Sequence, residues 1–320
     1  MDRKKIKWET KFIYASNQNT VLEMNGVDAD IAKTMDPNLV PSQGIAKFSE
    51  VSPGHEYAEF KVLSWARFGH GLAVDHDLDI NTPDVAIDTL ADYDWEKNDV
   101  YIGKNGLPIM YSEKIWSGYA PNPDWTGSFY NDIKIGKKVK LSCLIDISMG
   151  GHIANYTKNS LYEWGTHADT DKRYHPDFDN PDWFGYEEGV TTEWGKGTFQ
   201  ELINHGHKGI GPGQDTVITF SQNLYENYMG RNTDVINNIE DASYMKLREI
   251  ALSYNFGTVK IGYLGDPNVT IRISAQDLKT WTNYSGWDPE TNMYQDRISG
   301  EDYFNQPQTW RANMAIQFNW

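Results

Sequence analysis

The final twelve residues, Thr309 to Trp320, alternate apolar and polar side chains and stop on an aromatic. In a strand, successive side chains point to opposite faces, so Trp310, Ala312, Met314, Ile316, Phe318 and Trp320 fall on one side, and Arg311, Asn313, Gln317 and Asn319 on the other. The same two-step pattern opens the chain: Ile6, Trp8, Phe12 and Tyr14 are in phase, with Lys7, Glu9 and Lys11 between them. It recurs in Trp125–Ile135 and Val139–Met149, whose odd positions are mostly apolar and which are separated only by Gly136-Lys137-Lys138, so a hairpin with a tight turn is expected. In Ala242 to Phe256 the phase changes midway: Met245 and Leu247 are odd, whereas Ile250, Leu252, Tyr254 and Phe256 are even, which a bulge near Arg248-Glu249 reconciles. Val269, Ile271, Ile273 and Ala275 mark a further strand.

Between these strands lie long polar stretches. Residues 151–242 contain one short helical pattern, Asn155 to Trp164, and one β-like piece, Thr216 to Ser221; residues 278–307 are polar and aromatic. Such insertions are foreign to a compact soluble domain but ordinary on the outer side of a membrane barrel, where turns are short at one end and loops long at the other. If the turn at 135–139 and the connection at 257–267 share one end, Met149 to Ala242 holds zero or two wall strands, so Thr216–Ser221 belongs to the loop. Six wall strands result, or eight if the weaker segments 57–68 and 100–110 also cross. Gly103, Gly106 and Pro108 weaken the latter. Six strands do not close a transmembrane barrel, and an open edge in lipid leaves backbone groups unpaired, so further strands are expected upstream and the chain reads as a fragment.

Composition narrows the function. The 320 residues hold 12 Trp and 19 Tyr at a mean hydropathy of −0.63, which suits short strands joined by ring-bearing polar loops. A formal charge of −16 argues against nucleic acid or an anionic membrane surface as partner. One cysteine, Cys143, excludes an internal disulfide or a cysteine zinc site. There is no long apolar run for a transmembrane helix and no signal-peptide core.

Candidate chemistry is sparse. Asp75-His76-Asp77-Leu78-Asp79, within the acidic stretch 75–99, lacks the Gly and Glu of a calcium loop and reads as a solvated acidic loop. His205-Gly206-His207 has no third ligand at a useful spacing, so no metal is expected. Glu187-Glu188, and Asp288 with Glu290, lie in loops without an evident fixed geometry for acid–base work, so neither an enzyme nor a cofactor is expected. Trp183, Tyr186, Trp194, Trp281, Tyr284 and Trp287 fall in expected external loops, where rings could stack on sugar faces or peptide side chains, or pack the loops against one another.

Ordered blocks along almost the whole chain resemble the C-terminal part of SusC/RagA-type TonB-dependent outer-membrane transporters of Bacteroidota. Among them are Trp8-Glu9-Thr10, Asn17-Gln18-Asn19-Thr20-Val21-Leu22, Pro53-Gly54-His55, Ala66-Arg67-Phe68-Gly69 and Pro121-Asn122-Pro123-Asp124-Trp125-Thr126-Gly127-Ser128-Phe129. Gly150-Gly151-His152-Ile153-Ala154-Asn155, Ile239 to Ile250, Ser274-Ala275-Gln276-Asp277-Leu278, Gly286-Trp287-Asp288-Pro289-Glu290 and Tyr303 to Thr309 continue the series. The family pattern usually has Asn where this chain has Asp277. The resemblance implies an all-β fold: residues 1–320 would form the C-terminal part of a 22-stranded barrel, with 150–242 and 278–307 as large extracellular loops and the plug and N-terminal extension absent. It implies a multi-pass location in the outer membrane among its lipids, and import of oligosaccharides, peptides or similar large nutrients. Its partners would be a SusD-like lipoprotein lid and the TonB complex, the latter through the plug. Phe318 and Trp320 would carry the signal read by the outer-membrane barrel assembly machinery. The competing expectation is a soluble secreted β-sandwich that binds or cleaves glycans, for which the alternating strands would look similar.

Overall fold

The computed structural model describes residues 6–36, 39–66, 99–109, 114–164, 166–168, 196–198, 208–219, 236–293, 300–306 and 308–320. Six long strands form one antiparallel sheet: β1 (Ile6–Ser16), β2 (Trp125–Ile135), β3 (Val139–Met149), β4 (Tyr244–Thr258), β5 (Asn268–Thr282) and β6 (Arg311–Asn319), paired in chain order from β1 to β6. Sequential antiparallel neighbours need only short turns at one end, and Gly136, at φ +62°, supplies the left-handed residue of the β2–β3 turn. Among the described residues the sheet stays open, with β1 and β6 as its outer strands.

The register runs the apolar phase straight across all six strands. Trp8, Ile133, Leu141, Leu252, Ile273 and Met314 form one row, and Ile6, Ile135, Val139, Tyr254, Ile271 and Ile316 another. This face is bare: Trp8 is 67% exposed, Ile273 55% and Met314 65%. A sandwich would cover such a face with a second sheet about 10 Å away; among the described residues none covers it, and the open face is that of a barrel wall. A polar patch interrupts the face, and it is paired internally. Asn131 Oδ1 accepts from Trp8 Nε1 at 3.1 Å and from Thr10 Oγ1 at 2.9 Å.

The bulge falls where the change of phase places it. Leu144 and Ile145 face Glu249 and Leu247, so Arg248 is the extra residue of β4. Across β5 the pairing also jumps, from Leu247–Lys279 to Glu249–Gln276, with Asp277 at φ +53°. Strand β5 continues to Thr282, so the loop expected from 278 begins five residues later.

The two additional wall strands are not formed. Glu59–Val62 sits in a small sheet with Gln43–Gly44, Ser49–Val51 and Ile115–Trp116, and Val100–Tyr101 pairs with Gly209–Ile210. Phe60, Val62, Val100 and Tyr101 are all buried, without the alternation of one wet and one dry face that a wall strand requires. The count is six. Ile218–Thr219 pairs with Lys196–Gly197, away from the wall.

The hydrophobic core therefore lies in the loops. Phe48, Phe60, Val62, Tyr101, Ile115 and Ile239 belong to one buried cluster assembled from four separated stretches of chain. A three-stranded sheet of Ile239–Asp241, His152–Asn155 and Glu301–Asp302 ties these stretches together. Helix α1 (Tyr156–Glu163) follows, capped by Asn155, whose side chain accepts from the Lys158 N–H at 2.9 Å. Glu301, fully buried, accepts from the Phe48 N–H at 2.6 Å and so links segments 253 residues apart.

Candidate functional site

Where the wall meets this loop layer, the polar face carries a dense charge network. Because Arg248 is the bulged residue, its guanidinium reaches three carboxylates. Nε donates to Asp146 Oδ2 at 2.7 Å, Nη1 to Asp277 Oδ1 at 3.3 Å, and Nη2 to Glu290 Oε1. Two residues earlier, Lys246 is 1% exposed and donates to both oxygens of Asp288, at 3.1 and 2.9 Å, and to Glu290 Oε2 at 2.5 Å. Tyr244 donates to Glu290 Oε1 at 2.5 Å, and Arg311 donates to the second oxygen of Asp277 at 3.3 Å.

Asp288 and Glu290, expected to float in a loop, are thus fixed to the wall. Burial alone would raise the Glu290 carboxyl, but the bonds from Arg248, Lys246 and Tyr244 outweigh it and hold its pKa down to about 2. Both carboxylates are neutralised by cations, so the arrangement serves as a latch rather than as an acid–base pair. Its backbone is pre-shaped: the Glu290 N–H donates to Asp288 Oδ1 at 3.0 Å and Thr291 Oγ1 to the Asp288 carbonyl at 2.7 Å.

A second anchor holds the same loop to the outer layer. Glu240 accepts from the Ser285 N–H at 2.8 Å, Ser285 Oγ at 2.7 Å and Lys158 Nζ at 2.9 Å. Burial pushes its pKa up, yet these donors, with the Lys158 charge, bring it below the ordinary carboxylate value. Tyr284 is buried and donates to Asp302 Oδ2 at 2.6 Å. Burial first, then the Asp302 charge, pushes that phenol far up, so Tyr284 stays neutral. At Gly286 a Cβ would run into the Tyr284 ring, which explains the glycine.

These two anchors decide what the expected loop aromatics can do. Trp287 lies between the pinned residues Ser285 and Asp288 and is 74% exposed, so its ring is held out in solvent on a braced loop. Trp281 belongs to strand β5, paired with Met245, and is half-exposed. Tyr284 faces inward and offers no surface. Trp183, Tyr186 and Trp194 lie outside the described residues, as do Glu187-Glu188, His205-Gly206-His207 and residues 75–98 of the acidic stretch. A further pair was not singled out from sequence: Trp164, at the end of α1, stacks on Phe304 with centroids 5.5 Å apart and planes 6° from parallel. Both rings are about half exposed. Only the aromatic doublet Tyr303-Phe304 hinted at it, because spacing does not reveal that α1 ends beside it. Among the described residues, no group of three or more His, Cys, Asp or Glu could hold a metal ion, and no helix is long and apolar enough to cross a membrane.

No family model matches the chain. A curated protein of Formosa agariphila, TonB-dependent receptor P3, is 24% identical over 202 residues, covering 61% of this chain and 16% of that protein. The solved structure of the RagAB peptide importer in the closed-closed state matches 99% of this chain and 28% of its own, at 11% identity and a TM-score of 0.51. A further structure of the RagAB peptide transporter covers 99% and 28% at 13% identity, with a TM-score of 0.49. The curated relative carries the name of a TonB-dependent receptor, and the importer structure at a TM-score of 0.51 shows a shared fold. The chain spans well under a third of either relative's length, and the fold that it shares with the importer is that of a barrel wall with long loops. The relatives are named for reception and transport, not for catalysis. The charge latch and the braced Trp287 sit where loops join wall, at the end opposite the Gly136 turn.

Proposed function

We propose that the chain forms the C-terminal part of the β-barrel of an outer-membrane, TonB-dependent importer of large nutrients such as oligosaccharides or peptides. The bare apolar face meets lipid and the polar face lines the lumen. The loops 150–242 and 283–307, with the layer built on Phe48 and Phe60, face the cell exterior. A SusD-like lid lipoprotein closes over that layer, and the TonB complex acts through a plug outside these residues. The barrel assembly machinery reads the terminal strand with Phe318 and Trp320. The single observation that carries this reading is the apolar register across six strands. The three strands of 11 residues are about 36 Å long at about 3.3 Å per residue, which a tilt of about 40° converts into a belt of about 28 Å, close to the apolar band of such barrels.

Within this reading the braced Trp287 and the Trp164–Phe304 pair are contacts for cargo or lid, while Tyr284 packs the loops. Rings preset on a rigid mount bind at low entropic cost, which favours them over rings on free loops.

Orientation is testable in cells that produce the complete receptor, with Cys143→Ala as background. A Trp287→Cys variant should react with a membrane-impermeant maleimide on intact cells, and a Lys137→Cys variant only after the outer membrane is opened. Labelling of Lys137→Cys on intact cells, or recovery of the receptor in the soluble fraction, overturns the proposal.

A further inference from the structure

The polar face ends, near the β2–β3 turn, in a concavity of about 580 Å³ whose ionised lining is entirely cationic. Lys134, Lys137, Lys138, Lys140 and Arg272 supply the charge, and Ser253, Asn255, Thr270 and Gln317 add hydroxyl and amide groups. No Asp or Glu lines it, in a chain whose formal charge is −16.

The strand register makes this concentration costly. Lys7 stands opposite Lys134, Lys134 opposite Lys140, and the row continues through Ser253 to Arg272. Like charges at directly opposed positions destabilise a sheet. Two members of the row are relieved: Lys140 Nζ lies 2.9 Å from Asp132 Oδ2, and Arg272 pairs with Glu249. Lys134, Lys137 and Lys138 have no ion pair among the described residues. Three unpaired lysines beside two paired cations around a concave surface focus positive potential into it, and its size is that of a small-molecule site.

We propose that this concavity binds a small polyanion, a molecule bearing two or more phosphate or carboxylate groups. Lys134, Lys137 and Lys138 supply the free charge, and Thr270 and Ser253 offer hydroxyl donors to its oxygens. Its placement at the inner mouth of the pore, on the side away from the loop layer, rests on the barrel reading above; the binding itself rests on the sheet alone.

The test uses the complete receptor in an uncharged detergent at low salt, titrated calorimetrically with inorganic pyrophosphate in one arm and citrate in the other. Saturable binding with a Kd of about 1 mM or tighter is expected in at least one arm, and the stronger arm names the source as phosphate or carboxylate. Lys134→Gln/Lys138→Gln should weaken it at least tenfold, as should about 0.5 M NaCl. Lys137→Gln/Lys138→Gln, confined to the exposed turn where the fold is not at stake, should weaken it in the same direction. Lys33→Gln/Lys104→Gln, remote from the concavity, should leave it unchanged. Absence of saturable binding in both arms, or equal weakening by the remote pair, overturns the proposal. If maleimide labelling contradicts the orientation while pyrophosphate or citrate still binds, the barrel placement fails and the site stands; the converse result removes the site alone.

Discussion

Replacing Lys246 with Met isolates the contribution of the latch. Lys246 is nearly inaccessible, and its ammonium is the cation that holds both oxygens of Asp288, which is itself 5% exposed. In Lys246→Met, Glu290 keeps Arg248 and Tyr244, but the Asp288 carboxylate retains only the Glu290 N–H. An uncompensated buried charge of this kind costs about 3–5 kcal/mol. The loop can avoid that cost by undocking, so its opening equilibrium should shift by at least about a hundredfold. Amide exchange followed by mass spectrometry, on the complete receptor in detergent, reads this over residues 284–291, where the Ser285, Glu290 and Thr291 N–H groups are bonded when docked. Exchange there should accelerate while the wall strands keep their protection. Lys246→Met/Asp288→Asn should recover part of the loss, because no buried charge remains. Unchanged exchange in the single variant, or a double variant that opens further, would refute the reasoning.

Two further outcomes concern the same region. Glu290 is held near pKa 2 against an ordinary 4.5, so its contribution of about 3 kcal/mol is complete above about pH 4.5 and is lost as pH falls towards 2; the protection factors of 284–291, which divide out the pH dependence of intrinsic exchange, should fall over that window, and pH-independent protection would contradict it. Asp277 occupies the left-handed region, which Asn and Asp tolerate and a β-branched residue does not. Asp277→Asn should therefore change stability by no more than about 1 kcal/mol, since its ion pairs to Arg248 and Arg311 are both long at 3.3 Å. Asp277→Val should cost about 1–3 kcal/mol, seen as a lower temperature for loss of the folded band in semi-native electrophoresis.

The wall was legible because a strand with one dry and one wet face writes itself into a two-residue period. Strand β1, the β2–β3 hairpin and the bulge at Arg248 all followed from that period, and even the Arg248 phase change had a single geometric remedy. The loop layer was not legible in the same way. Phe60, Val62, Val100 and Tyr101 look like further wall strands by composition, yet they are buried all round by partners up to about a hundred and eighty residues away, as Ile239 is from Phe60. Pairing over such distances leaves no local period. The site shows the same division. That Asp288 and Glu290 lie close together could be read, but not that Lys246 and Arg248 would meet them, because this depends on the bulge turning Arg248 towards the loop. Trp287 and Tyr284 are three residues apart and alike in composition, and only the anchors at Glu240 and Lys246 separate the exposed ring from the buried one.

The placement of the core has a consequence for how this sequence can drift. In most soluble proteins the loops absorb change and the strands resist it. If the bare face meets lipid as proposed, Ile273 or Met314 can give way to any residue that lipid tolerates, since no neighbour among the described residues is shaped to fit it, whereas Phe60, Tyr101 and Glu301 are each enclosed by fixed partners. Substitution should therefore accumulate on the wall and be purged from the loops, and a library screened for assembled protein should map its intolerant positions to the layer around Phe60 rather than to the six wall strands.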